Sequence, residues 1–212
     1  QEIKNATSAE EINNLKDLLL SEITNLRNQK STAAKLNDLL SQAANKNTYQ
    51  ALEALLQQIR ELSATQAYKD QQAQINELEI KLQNLDPTKY QAGINQDIEE
   101  QLKNNGVQLS DLDPPTQENL KKLKNGEITE PTQVQALKTQ VQTQIGKKGA
   151  EKELAKLTSA VQTALKSQNK SQIKKVKADL LKFIHSDNIY WQEQKDQAEK
   201  LLKDLEKNSL TA

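Results

Sequence analysis

One amphipathic stripe occurs twice in this chain, and it limits the fold more than any other feature. Ile12, Leu15, Leu19 and Ile23 are spaced by three and four, and Val134, Leu137, Val141 and Ile145 repeat that spacing 122 positions later. Such spacing gathers side chains on one face of an α-helix, because a turn takes about 3.6 residues. Further matches follow in the same order. Ala34-Lys35-Leu36 returns as Ala155-Lys156-Leu157, Asn45-Lys46 as Asn169-Lys170, and Leu55-Leu56 with Ile59 as Leu180-Leu181 with Ile184. The series Tyr68, Gln71, Ile75, Leu78, Leu82 returns as Trp191, Gln194, Ala198, Leu201, Leu205, and all offsets lie between 121 and 125. Ordered echoes at a near-constant distance read as a duplicated helical unit.

Punctuation divides the chain into three. All four prolines (Pro87, Pro114, Pro115, Pro131) fall between 87 and 131, and no glycine precedes Gly93. Proline and glycine are the strongest breakers, so the expected segments are a first module, 1–86, a two-helix spacer, 87–128, and a second module, 129–212. In the first module Ser8 and Glu11 have the spacing of a capping box for a helix running to about Asn28. Ser31-Thr32 then starts a second helix with Ala33, Leu36, Leu40 and Ala43 inward. Thr48 caps a third, with Tyr49, Leu52, Leu55, Leu56, Ile59 and Leu62 inward. The apolar phase slips at 63–65, and a fourth helix ends at Leu85. In the spacer, Asp86-Pro87 and Asp113-Pro114 start helices that stop at Asn105-Gly106 and Asn125-Gly126.

The expected fold class is all-α: elongated antiparallel helical bundles, two copies of a roughly four-helix module joined by a short helical spacer. The pattern resembles spectrin-like and other antiparallel helical-bundle repeats, in periodicity rather than in any motif. Only 35% of the residues are apolar, which implies a thin core. Low hydrophobicity also marks disorder, but the apolar residues are periodic and the formal net charge is zero. No run of about 18 apolar residues is available to span a bilayer as a helix. Cysteine is absent, which removes disulfides, thiolate zinc sites and cysteine nucleophiles. Methionine is also absent and the sequence begins at Gln1. A mature exported protein or a piece of a longer chain is therefore expected, with a leaning towards a secreted or cell-surface bacterial protein or effector.

Catalytic chemistry finds little to stand on. The single histidine, His185, falls at a helix end, where an imidazolium would suit the dipole. Asp111-Leu112-Asp113 has the outline of a metal clamp, but calcium takes six or more oxygens and Asp113 reads more simply as a cap. Asp97, Glu99 and Glu100 read as a solvated helix face. No phosphate loop, nucleophile elbow or zinc-binding His-Glu-x-x-His is present. The chain is expected to be no enzyme, with no metal and no cofactor.

Charge points to binding instead. The three segments carry nets of −3, −2 and +5, and residues 147–182 hold ten lysines against three acids. Lys170, Lys174, Lys175, Lys177 and Lys182, with Tyr190, are the expected partner-binding residues. A protein-protein interaction or scaffold module with an acidic protein partner is the first reading. A basic amphipathic helix around 170–184 lying on an anionic membrane surface is the alternative. Nucleic acid is disfavoured, since no arginine follows Arg60 and aromatic residues for stacking bases are missing. Self-association is a further partner class.

Overall fold

The computed structural model describes residues 9–209, and the described residues form ten α-helices and no strand. They are α1 (Ala9–Ala44), α2 (Tyr49–Arg60), α3 (Gln66–Asp70), α4 (Gln72–Leu85), α5 (Pro87–Asn104), α6 (Pro114–Lys124), α7 (Pro131–Ser167), α8 (Lys170–Ile184), α9 (Ile189–Gln192) and α10 (Lys195–Ser209). A 3-10 turn, Leu109–Asp111, joins α5 to α6.

Side-chain caps set most starts. Thr48, Thr65, Asp86, Asp113 and Asn169 each accept a hydrogen bond from a backbone N–H two or three residues on. The expected box at Ser8 lies outside the described residues. Two boundaries differ from the expected ones. Helix α1 runs through Ser31-Thr32 without a break, because no proline or glycine interrupts 9–44 and a potential cap residue does not by itself end a helix. Conversely, the expected fourth helix is divided at Gln71, which leaves helical geometry at ψ 14°.

Gly106 and Gly126 terminate α5 and α6 with φ of 63° and 76°, the left-handed conformation that glycine adopts without a Cβ clash. Gly126→Ala is expected to cost about 1 kcal/mol. An unchanged denaturation midpoint would refute the left-handed stop.

The chain forms two compact units, 32–152 and 1–31 with 153–212. Their boundaries fall inside α1 and α7, not at the proline-marked positions. The physical reason is that both long helices continue unbroken past the point where their packing partners change. In the 32–152 unit Leu36, Leu40, Leu52, Leu56, Ile59, Ile75 and Leu82 share one core with Val134, Val141 and Ile145. Tyr90, Ile94, Ile98, Val107, Leu112, Leu120 and Leu123 belong to the same core. Segment 87–128 is thus a packed part of this unit. Gln144 accepts from the Asp113 amide and donates to Asp113 and Thr116, while Lys152 pairs with Asp111 at 2.6 Å.

The second unit is built on Leu154, Leu157, Val161, Val176, Leu180, Phe183, Ile184, Ala198, Leu202 and Leu205, with Leu18 packed against them. Helix α10 lies on α8, and Trp191 stacks on Phe183 at 4.8 Å between ring centroids.

The two copies of the opening stripe meet different fates. Val134, Leu137, Val141 and Ile145 are at most 5% exposed, whereas Ile12, Leu19 and Ile23 are 41–47% exposed. Spacing alone would turn Ile12–Ile23 inward as it does Val134–Ile145, and it does not. Helix α1 instead turns Asn14, Leu18, Ser21 and Asn25 towards its unit, where Lys177 donates to the Asn14 Oδ1 at 2.6 Å.

Candidate functional site

The lysine face of α8 is the first site to place. Val176, Leu180, Phe183 and Ile184 are buried, and they fix which way the helix turns. At 3.6 residues per turn, Lys170, Lys174, Lys175 and Lys182 fall within about 140° of arc on the opposite side. All four are exposed, and none is held by an ion pair or hydrogen bond among the described residues. Lys177 is different. It lies at the edge of the buried stripe, donates to Asn14, and sits 3.7 Å from Asp17 and 3.6 Å from Glu206. Its charge is used inside the unit. Tyr190 is half-buried in α9, beside the Asn188 cap that accepts from its amide. The structure therefore brings four of the six expected residues onto one open face.

A second constellation escaped the sequence reading. Glu79 is 1% exposed in the middle of the 32–152 core. Arg60 from α2 grips both its oxygens, Nε to Oε1 at 2.8 Å and Nη2 to Oε2 at 2.9 Å. Lys138 from α7 stands 3.3 Å away and is 5% exposed. The Tyr90 hydroxyl from α5 donates to Oε2 at 2.7 Å and itself accepts from Gln135 at 2.6 Å. Glu53 and Asp97 complete the set against Arg60, at 2.9 and 3.5 Å.

Burial would raise the Glu79 pKa, but Lys138, Arg60 and the Tyr90 hydrogen bond outweigh it and hold the carboxyl at about 2. Burial opposes the charge on Lys138 and lowers its pKa against the pull of Glu79. Burial raises Asp97, with Arg60 opposing, so Asp97 faces this cluster and is not the solvated position expected of it. A carboxylate that stays ionised and inaccessible is poorly suited to proton transfer. It serves instead as a four-helix knot tying α2, α4, α5 and α7. A signal for it was present: Glu79 extends the Ile75, Leu78, Leu82 stripe, and Lys138 the Val134, Leu137, Val141 stripe, both at the i+4 position.

His185 ends α8 as its C-cap. Among the described residues neither ring nitrogen has a hydrogen-bond partner, and burial, then Lys195, lowers its pKa against Glu22. Burial therefore works against the imidazolium expected at the helix end.

Among the described residues no group of three or more His, Asp or Glu is arranged to hold a metal ion. A groove of about 360 Å³ between α7 and α10 is lined by Leu154, Thr158, Gln197, Lys200, Leu201 and Asp204. It gathers no nucleophile with a base. No helix among the described residues is long and apolar enough to cross a membrane. No family model, curated protein or solved structure matches the chain.

Proposed function

We propose that this chain is a non-enzymatic helical interaction module, built from two copies of a roughly four-helix unit, that docks an acidic protein partner on the lysine face of α8. The order of helix lengths supports the duplication. Helices α1 to α4 have 36, 12, 5 and 14 residues, and α7 to α10 have 37, 15, 4 and 15.

The observation that carries the docking reading is the open arc of Lys170, Lys174, Lys175 and Lys182. Four cations with no internal partner form a positive patch that steers and orients a negative surface. The apolar side of α8 is already used in its own core. A membrane mode that inserts this face would require the unit to open, so the lysines act through charge alone.

Changing these four lysines to glutamate, with Lys177 left intact, is expected to lower partner capture from the source extract at least tenfold while helicity is unchanged. Undiminished capture would remove this face from the site. Sedimentation with vesicles of phosphatidylserine and of phosphatidylcholine provides the contrast. Binding to the anionic vesicles that equals capture of protein would replace the protein reading by a membrane one.

A further inference from the structure

The first part of helix α1, up to about residue 30, carries its most apolar face outward, whereas Leu36 and Leu40 farther along are buried. Ile12, Leu19, Leu20, Ile23 and Leu26 are 41–58% exposed, whereas the side turned to its own unit includes Asn14, Ser21 and a buried Asn25 whose Oδ1 has no partner. Ile12, Leu15, Leu19, Ile23 and Leu26 follow steps of three, four, four and three over four turns, a coiled-coil seam of the eleven-residue kind in which Ile23 repeats Ile12.

Charges border this seam in an ordered way. At 3.6 residues per turn Glu11 and Glu22 lie on one flank, and Lys16 and Arg27 on the other. In a parallel pair the acidic flank of one helix meets the basic flank of its mate, and the favoured contacts join residues five apart. Glu11 then faces Lys16 of a second copy, and Glu22 faces Arg27 of a second copy, each twice by symmetry. An antiparallel pair would set acid beside acid and base beside base.

The repeat supplies an independent comparison. The second stripe, Val134–Ile145, is buried within its own unit, and the positions matching Glu11, Glu22 and Arg27 there are Gln133, Gln144 and Gly149. The flanking acids and the arginine accompany the stripe that is exposed and are missing from the stripe that is covered.

We propose that residues 9–30 of α1 form a parallel, in-register coiled coil with the same segment of a second copy of this chain. The seam is short, so association belongs in the micromolar range, about 1–100 µM.

Sedimentation equilibrium of the full chain over that range is expected to show a monomer–dimer equilibrium. Leu19→Asp should abolish the dimer with helicity retained, since Leu19 is exposed in the single chain. Glu22→Lys should raise the dimer dissociation constant about tenfold, and Glu22→Lys with Arg27→Glu should restore it. The chain has no cysteine, so Ile12→Cys and Leu26→Cys report alignment directly. Each should form a disulfide with itself on oxidation. Cross-linking only between Ile12→Cys and Leu26→Cys chains would show antiparallel pairing and overturn the proposal. A wild-type chain that stays monomeric throughout, or a double charge reversal that does not recover the dimer, would overturn it as well.

Discussion

Glu79→Ala is expected to destabilise the 32–152 unit by about 3–5 kcal/mol, the size of effect seen when one member of a buried ion pair is removed. Three observations set this magnitude. Glu79 is 1% exposed, Lys138 is 5% exposed, and both Arg60 and Tyr90 spend hydrogen bonds on the lost oxygens. Urea denaturation followed by circular dichroism would measure it, and a loss below about 1 kcal/mol would mean that Lys138 finds water or another acid.

The companion substitution separates charge from packing. Glu79→Leu together with Lys138→Leu should be less destabilising than Glu79→Leu alone, because paired removal leaves fewer uncompensated charges.

The same carboxylate gives an acid dependence with a defined sign. Its folded pKa, about 2, lies below the ordinary 4.5. The unfolded chain therefore binds the proton more readily, and the stabilisation is complete above 4.5 and is lost as pH falls towards about 2. In Glu79→Gln that part of the acid transition should flatten. His185, whose pKa is also lowered from 6.5, adds a loss of stability that begins as pH falls through 6.5, since its protonation is favoured in the unfolded chain.

Phe183→Ala is expected to cost about 3–5 kcal/mol in the other unit. Phe183 is 1% exposed and stacks on Trp191, so the substitution leaves a cavity and removes an aromatic pair. Trp191 is the chain's only tryptophan, which makes its fluorescence a local probe of this core. The fluorescence midpoint should fall sharply in Phe183→Ala. A midpoint within about 1 kcal/mol of wild type would show that the site collapses around the smaller side chain.

Much of the fold is legible in the residues themselves. Asp86-Pro87, Asp113-Pro114 and Thr48 start helices, and Gly106 and Gly126 stop them, because these signals act through backbone geometry within one turn. The inward faces of α2 and α4 follow from apolar spacing for the same reason. The lysine arc on α8 is equally local: once Val176, Leu180 and Ile184 point inward, Lys174, Lys175 and Lys182 must point away.

What tertiary structure alone decided is which of several available faces is covered. Asp97 looks like any exposed helical acid until Arg60 arrives from another helix 37 positions earlier in the sequence. Lys177 belongs to a lysine cluster until Asn14, Asp17 and Glu206 enclose it. Most of all, the stripes beginning at Ile12 and Val134 share one pattern, and the pattern specifies a face that prefers to be covered. Burial is a property of two surfaces. Val134–Ile145 meets a core within its own unit, while Ile12, Leu19 and Ile23 keep much of their apolar surface in water.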